Sequence, residues 1–104
     1  MSRLSKLSKE SIELYGPEHQ VYVVIEEAAE FTAIASKTFN RNEGKITVEY
    51  LKEVADLIIV TEHLKQMYKE VLPEILDTKL DKLEGHLQRK RAKHKQLVMD
   101  FDQS

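Results

Sequence analysis

The segment Val21–Ala35 constrains the fold more strongly than any other part of this sequence. Eleven of its 15 residues are apolar, and the others are Thr32 and three glutamates. A helix of this composition is apolar around nearly its whole circumference, which is typical of a helix that is buried on most sides. A chain of 104 residues buries only about 65% of the surface that its unfolded state exposes. We therefore expect a second copy of the chain to cover this helix and the next long one; the alternative is a central helix in a monomeric bundle.

The spacing of apolar residues and the positions of chain breaks predict an all-α protein, a bundle of about four helices that is completed by oligomerisation. Pro17 suits the first turn of a helix, and Thr47 suits the cap of the following one. The predicted helices are approximately Ser5–Tyr15, Pro17–Phe39, the segment from Thr47 to Val71, and Pro73–His94. Residues 1–95 would form one helical domain, followed by a flexible C-terminal tail at 96–104.

The composition excludes several kinds of chemistry. The chain contains no cysteine, which rules out disulfides, thiolate metal sites and thiol nucleophiles. Its three glycines lie too far apart for a glycine-rich phosphate loop. No apolar run approaches the roughly 20 residues of a membrane-spanning helix, and the first residues lack the apolar core of a secretory signal. We therefore expect a cytoplasmic protein that has no membrane partner.

Two pairs of acidic residues recur at helical spacing. Glu27 and Glu30 are three residues apart in the apolar helix, and Glu53 and Asp56 repeat that spacing in the next helix. Ionised carboxylates among apolar side chains cost on the order of several kcal/mol each unless a cation neutralises them. Antiparallel packing of the two helices would bring both pairs together, and such oxygen ligands suit Mg²⁺ or Mn²⁺. The alternative is that the acids form a solvated face of two amphipathic helices.

The acidic residues also resemble a family signature. Two acidic motifs separated by 22 residues resemble the EExxE…ExxD signature of the MazG-like nucleoside triphosphate pyrophosphohydrolases, which are all-α proteins. The motif residues are Glu26, Glu27, Glu30, Glu53 and Asp56. The flanking sequences YGPEHQVYVVIEEAAEFTAIASK and KLDKLEGHL are similar to those of small single-domain phage and bacterial members. The resemblance covers about Tyr15–Leu87, which is most of the chain.

The resemblance implies a MazG-like, oligomeric domain, a dimer or a tetramer. Such a domain uses Mg²⁺ to cleave a nucleoside or deoxynucleoside triphosphate into a monophosphate and pyrophosphate. By position, the residues that match the family's metal ligands are Glu27, Glu30, Glu53 and Asp56. The candidates for the catalytic base are Glu26 and Glu27. The basic residues suited to the outer phosphates are Lys37, Lys79 and Lys82, and the alternative is that these are ordinary solvated lysines. Asp56 is followed by Leu57–Val60 and not by a Tyr-His pair, which disfavours the phosphoribosyl-ATP branch of the family.

Three other functions compete with this interpretation. A di-iron bundle requires Glu-x-x-His pairs, and none of the four histidines follows a glutamate at that spacing. The basic stretch Arg89–Lys95 could bind a polyanion such as nucleic acid, but the net charge of −2 argues against this as the main role. A non-catalytic interaction or regulatory module is the remaining alternative. We expect the histidines to lie at the surface, with His63 near enough in sequence to Asp56 to approach the acids.

Overall fold

The computed structural model of the chain describes residues 2–41 and 43–103, and this part contains α-helices and no strand. The helices are α1 (Arg3–Tyr15), α2 (Pro17–Asn40), α3 (Val48–Met67) and α4 (Leu72–Gln103). The all-α prediction is therefore confirmed. The chain divides into two compact units, Met1–Lys69 with the first three helices and Glu70–Ser104 with α4. Among the described residues, no helix has both the length and the apolar character needed to cross a membrane.

The predicted helix starts agree with the structure. Pro17 opens α2 in its first turn, and the Thr47 hydroxyl caps α3 by accepting a hydrogen bond of 3.1 Å from the Tyr50 backbone N–H. The predicted end of α3 at Val71 is wrong, because α3 stops at Met67 and a turn follows. Pro73 has no N–H to donate, and its ring clashes with the carbonyl four residues earlier in a continuous helix. Helix α3 therefore ends before this residue, and Pro73 lies in the first turn of α4, which begins at Leu72.

The last helix is longer than the sequence predicted. It continues nine residues beyond His94, to Gln103, and a hydrogen bond of 3.0 Å from Gln96 Nε2 to Asp100 Oδ1 joins neighbouring turns there. The segment contains neither glycine nor proline, so nothing in it stops a helix. Residues 96–103 of the predicted tail are therefore helical, Ser104 lies outside the described residues, and the flexibility of the tail stays a prediction.

In the first unit, α2 and α3 pack together along their length and α1 packs against both. Tyr50 at the start of α3 contacts two aromatic rings of α2, those of Phe31 and Phe39, at centroid distances of 6.0 and 5.8 Å. Gly44 in the connection adopts a φ of 77°, which L side chains rarely adopt, and an added Cβ would lie 3.3 Å from the Phe39 ring. This corner reverses the chain and sets acidic residues of α2 opposite those of α3.

The first unit has very little apolar core of its own. Val60, 3% exposed, is the only large apolar side chain that is buried among the described residues of the chain. On α2, Tyr22 and Ile25 are 61% and 60% exposed, and on α3, Leu51 and Ile58 are 54% and 55% exposed. No residue of the segment predicted to be buried on most sides is fully buried in the single chain, where eight of its residues are exposed and seven are half-buried. Its apolar side chains remain available for a partner.

Polar contacts attach α1 to its neighbours. The buried Ser8 hydroxyl lies 2.5 Å from Nδ1 of His63, and Gln20 Nε2 donates to the Ser11 backbone carbonyl at 3.0 Å. The expected surface position of His63 is therefore wrong, because its ring is buried against α1. The approach of His63 to the acids stays a prediction. Desolvation by burial lowers the pKa of His63, which favours the neutral imidazole.

Candidate metal centre

Three carboxylates from α2 and α3 converge on one point. One carboxylate oxygen from each of Glu27, Glu30 and Glu53 lies within 4.8 Å of the other two. Two ligands of one hard cation are separated by at most twice the metal–oxygen distance, about 4–5 Å. The two helices therefore bring together, within reach of one cation, glutamates that are 23 residues apart in the sequence.

Two oxygens of this cluster have no hydrogen-bond partner. Glu27 Oε2 and Glu53 Oε2 are buried, and no described residue donates a hydrogen bond to either atom. Burial, followed by the negative charges of Glu30 and Asp56, raises the pKa of both Glu27 and Glu53. No described lysine or arginine forms an ion pair with the cluster, since the ion pair found in the described chain is Lys65–Glu62. Negative charge is thus concentrated without a compensating cation from the protein.

The other two motif acids lie beside this trio. Asp56 is half-buried and is not one of the three residues that share the 4.8 Å cluster. Its charge nevertheless contributes to raising the pKa of Glu27 and Glu53, which places its carboxylate nearby. Glu26 is exposed, and its charge has the smallest effect on Glu27. The side chain of Glu26 therefore remains accessible to water next to the cluster.

A groove of about 430 Å³ opens next to the acids. Glu30 and Glu53 form one part of its lining, and Lys37 of α2 and Lys52 of α3 form another. Ala33 and Ile34 supply an apolar surface in the same groove. Lys37, which the sequence suggested as a phosphate contact, therefore lies in the groove that also holds two of the clustered carboxylates.

Lys52 is a residue that sequence reasoning missed. It adjoins Glu53 in the chain, and a projection of 100° per residue directs its Cα–Cβ bond away from that carboxylate. In the structure its side chain reaches the groove, because four methylenes separate the ammonium from the backbone. The spacing of the charged residues could have predicted this position of Lys52. Positions i, i+3, i+4 and i+7 share one face of a helix, and they are occupied here by Glu49, Lys52, Glu53 and Asp56.

The remaining basic candidates lie on α4. Lys79 and Lys82 are exposed there, and their role as substrate contacts stays a prediction. The basic residues of the stretch 89–95 are exposed as well. At 100° per residue they point in many directions around the helix, so they do not form the single basic face that a groove or a strand of nucleic acid would require.

The donor set fits a hard divalent cation. All candidate ligands are carboxylate oxygens from two rigid helices, and Mg²⁺ and Mn²⁺ favour such ligands over nitrogen and sulfur. The two unpartnered oxygens of Glu27 and Glu53 would each gain a partner from such an ion. No protein-family model, curated protein or solved structure matches this chain.

Proposed function

We propose that this protein is a Mg²⁺-dependent nucleoside triphosphate pyrophosphohydrolase. The observation that carries the proposal is the convergence of Glu27, Glu30 and Glu53, of which two present a buried oxygen without a hydrogen-bond donor. The same residues resemble the acidic signature of the MazG-like enzymes. A polyphosphate would be repelled by this cluster unless a cation lay between them, so substrate binding depends on the metal.

In the proposed site, Mg²⁺, or Mn²⁺ as an alternative ion, would be held by Glu27, Glu30, Glu53 and Asp56. When bound, the ion would polarise the α-phosphoryl group and neutralise the charge of the triphosphate. Placing the ligands on two packed helices fixes them before the substrate arrives, which is what a precise metal site requires.

The exposed carboxylate of Glu26 suits the role of general base, and Glu27 is the second candidate. A water oxygen attacks the α-phosphorus, and the bond from that phosphorus to the α–β bridging oxygen breaks. One proton of the water passes to the glutamate, and the bridging oxygen leaves with the pyrophosphate. A base of this kind must lie within hydrogen-bond reach of the water, and Glu26 adjoins the proposed ligand Glu27 in the sequence.

Lys37 and Lys52 suit the binding of the outer phosphates. Both ammonium groups belong to side chains that line the groove beside Glu30 and Glu53, so a triphosphate held at the acids could extend toward them. Their positive charge would stabilise the pyrophosphate as it leaves. Lys79 and Lys82 are further candidates, which the resemblance alone supports.

The decisive experiment separates the products of a panel of NTPs and dNTPs after incubation with Mg²⁺. We expect monophosphate and pyrophosphate, and Glu53→Gln should lower kcat by about 100-fold because one ligand is lost. Glu49→Gln is the matched control, since Glu49 lines the same groove outside the cluster. Lys52→Ala should mainly raise KM. Diphosphate and orthophosphate as products, or equal activity of Glu53→Gln and the unmutated protein, would contradict the proposal.

A non-catalytic interaction or regulatory module is the second candidate. The exposed apolar side chains of α2 and α3 favour it, because a surface of this kind usually binds another protein surface. If the full nucleotide panel gives no turnover with Mg²⁺ or Mn²⁺ while the chain binds a partner, this function replaces hydrolysis.

We also propose that the protein acts as a homo-oligomer, a dimer or a tetramer, in which second copies cover the apolar faces of α2 and α3. Five residues of the described chain are buried, and four of them are polar, with Val60 as the exception. Fully burying one Leu or Ile side chain stabilises a protein by about 1.5–3 kcal/mol. Covering half-exposed side chains such as Ile25 and Ile58 would therefore supply stabilisation that the single chain lacks.

A further inference from the structure

The helix α4 carries one narrow stripe of leucines. Between residues 76 and 96 its large apolar side chains are Leu76, Leu80, Leu83 and Leu87, separated by four, three and four residues. Each is about half exposed, with exposed fractions between 46% and 51%. This spacing is that of the a and d positions of a heptad repeat, which form the contact seam of a coiled coil.

Between residues 76 and 96, the opposite side of α4 carries no large apolar side chain. Thr78 and Gly85 occupy the positions farthest from the seam, and Asp81 and Gln88 lie beside them. A helix with one apolar stripe and polar residues elsewhere suits contact with a single partner helix. A helix that is covered from several sides would need apolar residues on more than one face.

The charges beside the seam favour an identical partner in parallel orientation. In the heptad defined by the leucines, Lys79 occupies a g position, and Asp77 and Glu84 occupy e positions. A parallel pair sets each g residue against the e residue five positions later in the partner, so Lys79 meets the partner's Glu84. An antiparallel pair sets e against e and g against g. Asp77 would then lie near the partner's Glu84, and the two negative charges would repel each other.

We propose that α4 pairs in parallel with the α4 of a second copy of this chain, along the seam Leu76–Leu87. Lys79 of each copy then faces Glu84 of the partner subunit, which gives two opposite-charge contacts related by symmetry. The next seam position is Lys90, where two ammonium groups would meet, so the apolar pairing ends after Leu87.

The length of the seam determines how it must be tested. The seam spans twelve residues, about 18 Å of helix, which is fewer than two heptads. A coiled coil is usually predicted from sequence only when the repeat continues for about three to four heptads. A short seam of this kind pairs when other contacts raise the effective concentration of the two helices. The proposal does not depend on the proposed reaction, and the test therefore uses the full chain and does not read activity.

Site-directed crosslinking tests the pairing, because the chain contains no native cysteine. In a parallel pair Leu83 lies opposite its own copy, so Leu83→Cys should form a covalent dimer under mild oxidation, as read on a non-reducing gel. Thr78→Cys is the matched control on the far side of the helix and should stay monomeric. Circular dichroism confirms that both variants remain helical.

Two outcomes of this experiment would overturn the proposal. One is crosslinking of Leu83→Cys that is no faster than that of Thr78→Cys, which indicates random collision or another occupant of the seam. The other is preferential crosslinking in a mixture of Leu80→Cys and Leu83→Cys chains, since an antiparallel pair sets these two positions against each other.

Charge reversal provides a second, independent test by sedimentation equilibrium. Glu84→Lys places a lysine against the partner's Lys79 at two symmetric positions and should raise the dissociation constant of the assembly by about fivefold. The double variant Lys79→Glu with Glu84→Lys should restore the original value. Asp81→Lys makes the same change of net charge outside the seam and should have no such effect. An equal effect of Asp81→Lys, or no recovery in the double variant, would overturn the proposal.

Discussion

The proposed metal centre predicts that divalent cations stabilise the fold through Glu53. A ligand that binds only the folded state at ten times its Kd stabilises it by RT ln 11, about 1.4 kcal/mol. For a domain of 60–100 residues, 1 kcal/mol corresponds to about 4–8 °C in Tm. Mg²⁺ at this concentration should therefore raise the Tm of the unmutated protein by about 6–11 °C in a thermal melt followed by circular dichroism.

The substitution Glu53→Gln tests the geometric basis of this rise. Glu53 Oε2 is one of the two buried oxygens without a donor, and its carboxylate belongs to the three-residue cluster. Perturbing a metal site typically weakens metal affinity by about 10-fold or more. If Glu53→Gln weakens Mg²⁺ binding by about tenfold, the rise in Tm at the same Mg²⁺ concentration falls to about 2–3 °C. The amide also removes one of several repelling charges, so the Tm of the metal-free protein should increase.

Two results would refute this reasoning. Glu49→Gln changes an exposed carboxylate in the same groove and should leave the Mg²⁺-dependent rise intact. If it reduces the rise as much as Glu53→Gln does, the metal responds to the general charge of the groove and not to the cluster. If the unmutated protein melts at the same temperature with and without Mg²⁺ or Mn²⁺, the convergent acids do not form a metal site.

Three further predictions concern stability and assembly. Folding raises the pKa values of Glu27 and Glu53 above the ordinary value of 4.5. These two groups therefore contribute stability below pH 4.5, and this contribution is lost as the pH rises through their folded-state pKa values. The Tm of the metal-free protein should fall over this pH range, and it should fall less in Glu53→Gln. The Ser8 hydroxyl is the buried hydrogen-bond partner of His63. Ser8→Ala should therefore lower the free energy of unfolding by about 1–3 kcal/mol, as measured by urea denaturation. An unchanged urea midpoint would show that this contact does not stabilise the protein. Ile58→Glu puts a charge on the exposed apolar face of α3 and should shift the assembly toward single chains in sedimentation. If the unmutated protein already sediments as a 12.1 kDa monomer, this result contradicts the proposed oligomer.

The fold could be predicted from a few local signals. Pro17 and Thr47 mark helix starts because each satisfies a requirement of the first helical turn, and the structure has helices that begin there. The meeting of Glu30 with Glu53 follows from the short connection between Asn40 and Val48, since two helices joined in this way lie side by side. These signals act within a few residues of the chain, which is why the sequence reveals them.

Features that depend on neighbouring helices could not be predicted in the same way. His63 looks like a surface residue in its own helix, but in the structure it is buried, and Ser8 of α1 lies against it. Lys52 reaches the groove through a flexible side chain, whereas a helical projection describes only the direction of its first bond. Helix periodicity specifies which residues share a face, but not which face another helix will cover.

The distribution of polar residues in α2 links the proposed metal centre to the proposed oligomer. Its two buried residues are polar, Gln20 and Thr38, and the half-buried Glu27 lies on the same side of the helix, whereas Tyr22 and Ile25 on the other side are exposed. In a monomeric protein the apolar side of a helix faces the core, so this arrangement is reversed. A reversed helix is stable when a cation neutralises the inner carboxylates and another protein surface covers the outer apolar side chains. Both events stabilise the same folded unit by mass action. Because independent contributions of this kind add, the Mg²⁺-dependent rise in Tm should be similar in thermal melts at low and at high protein concentration.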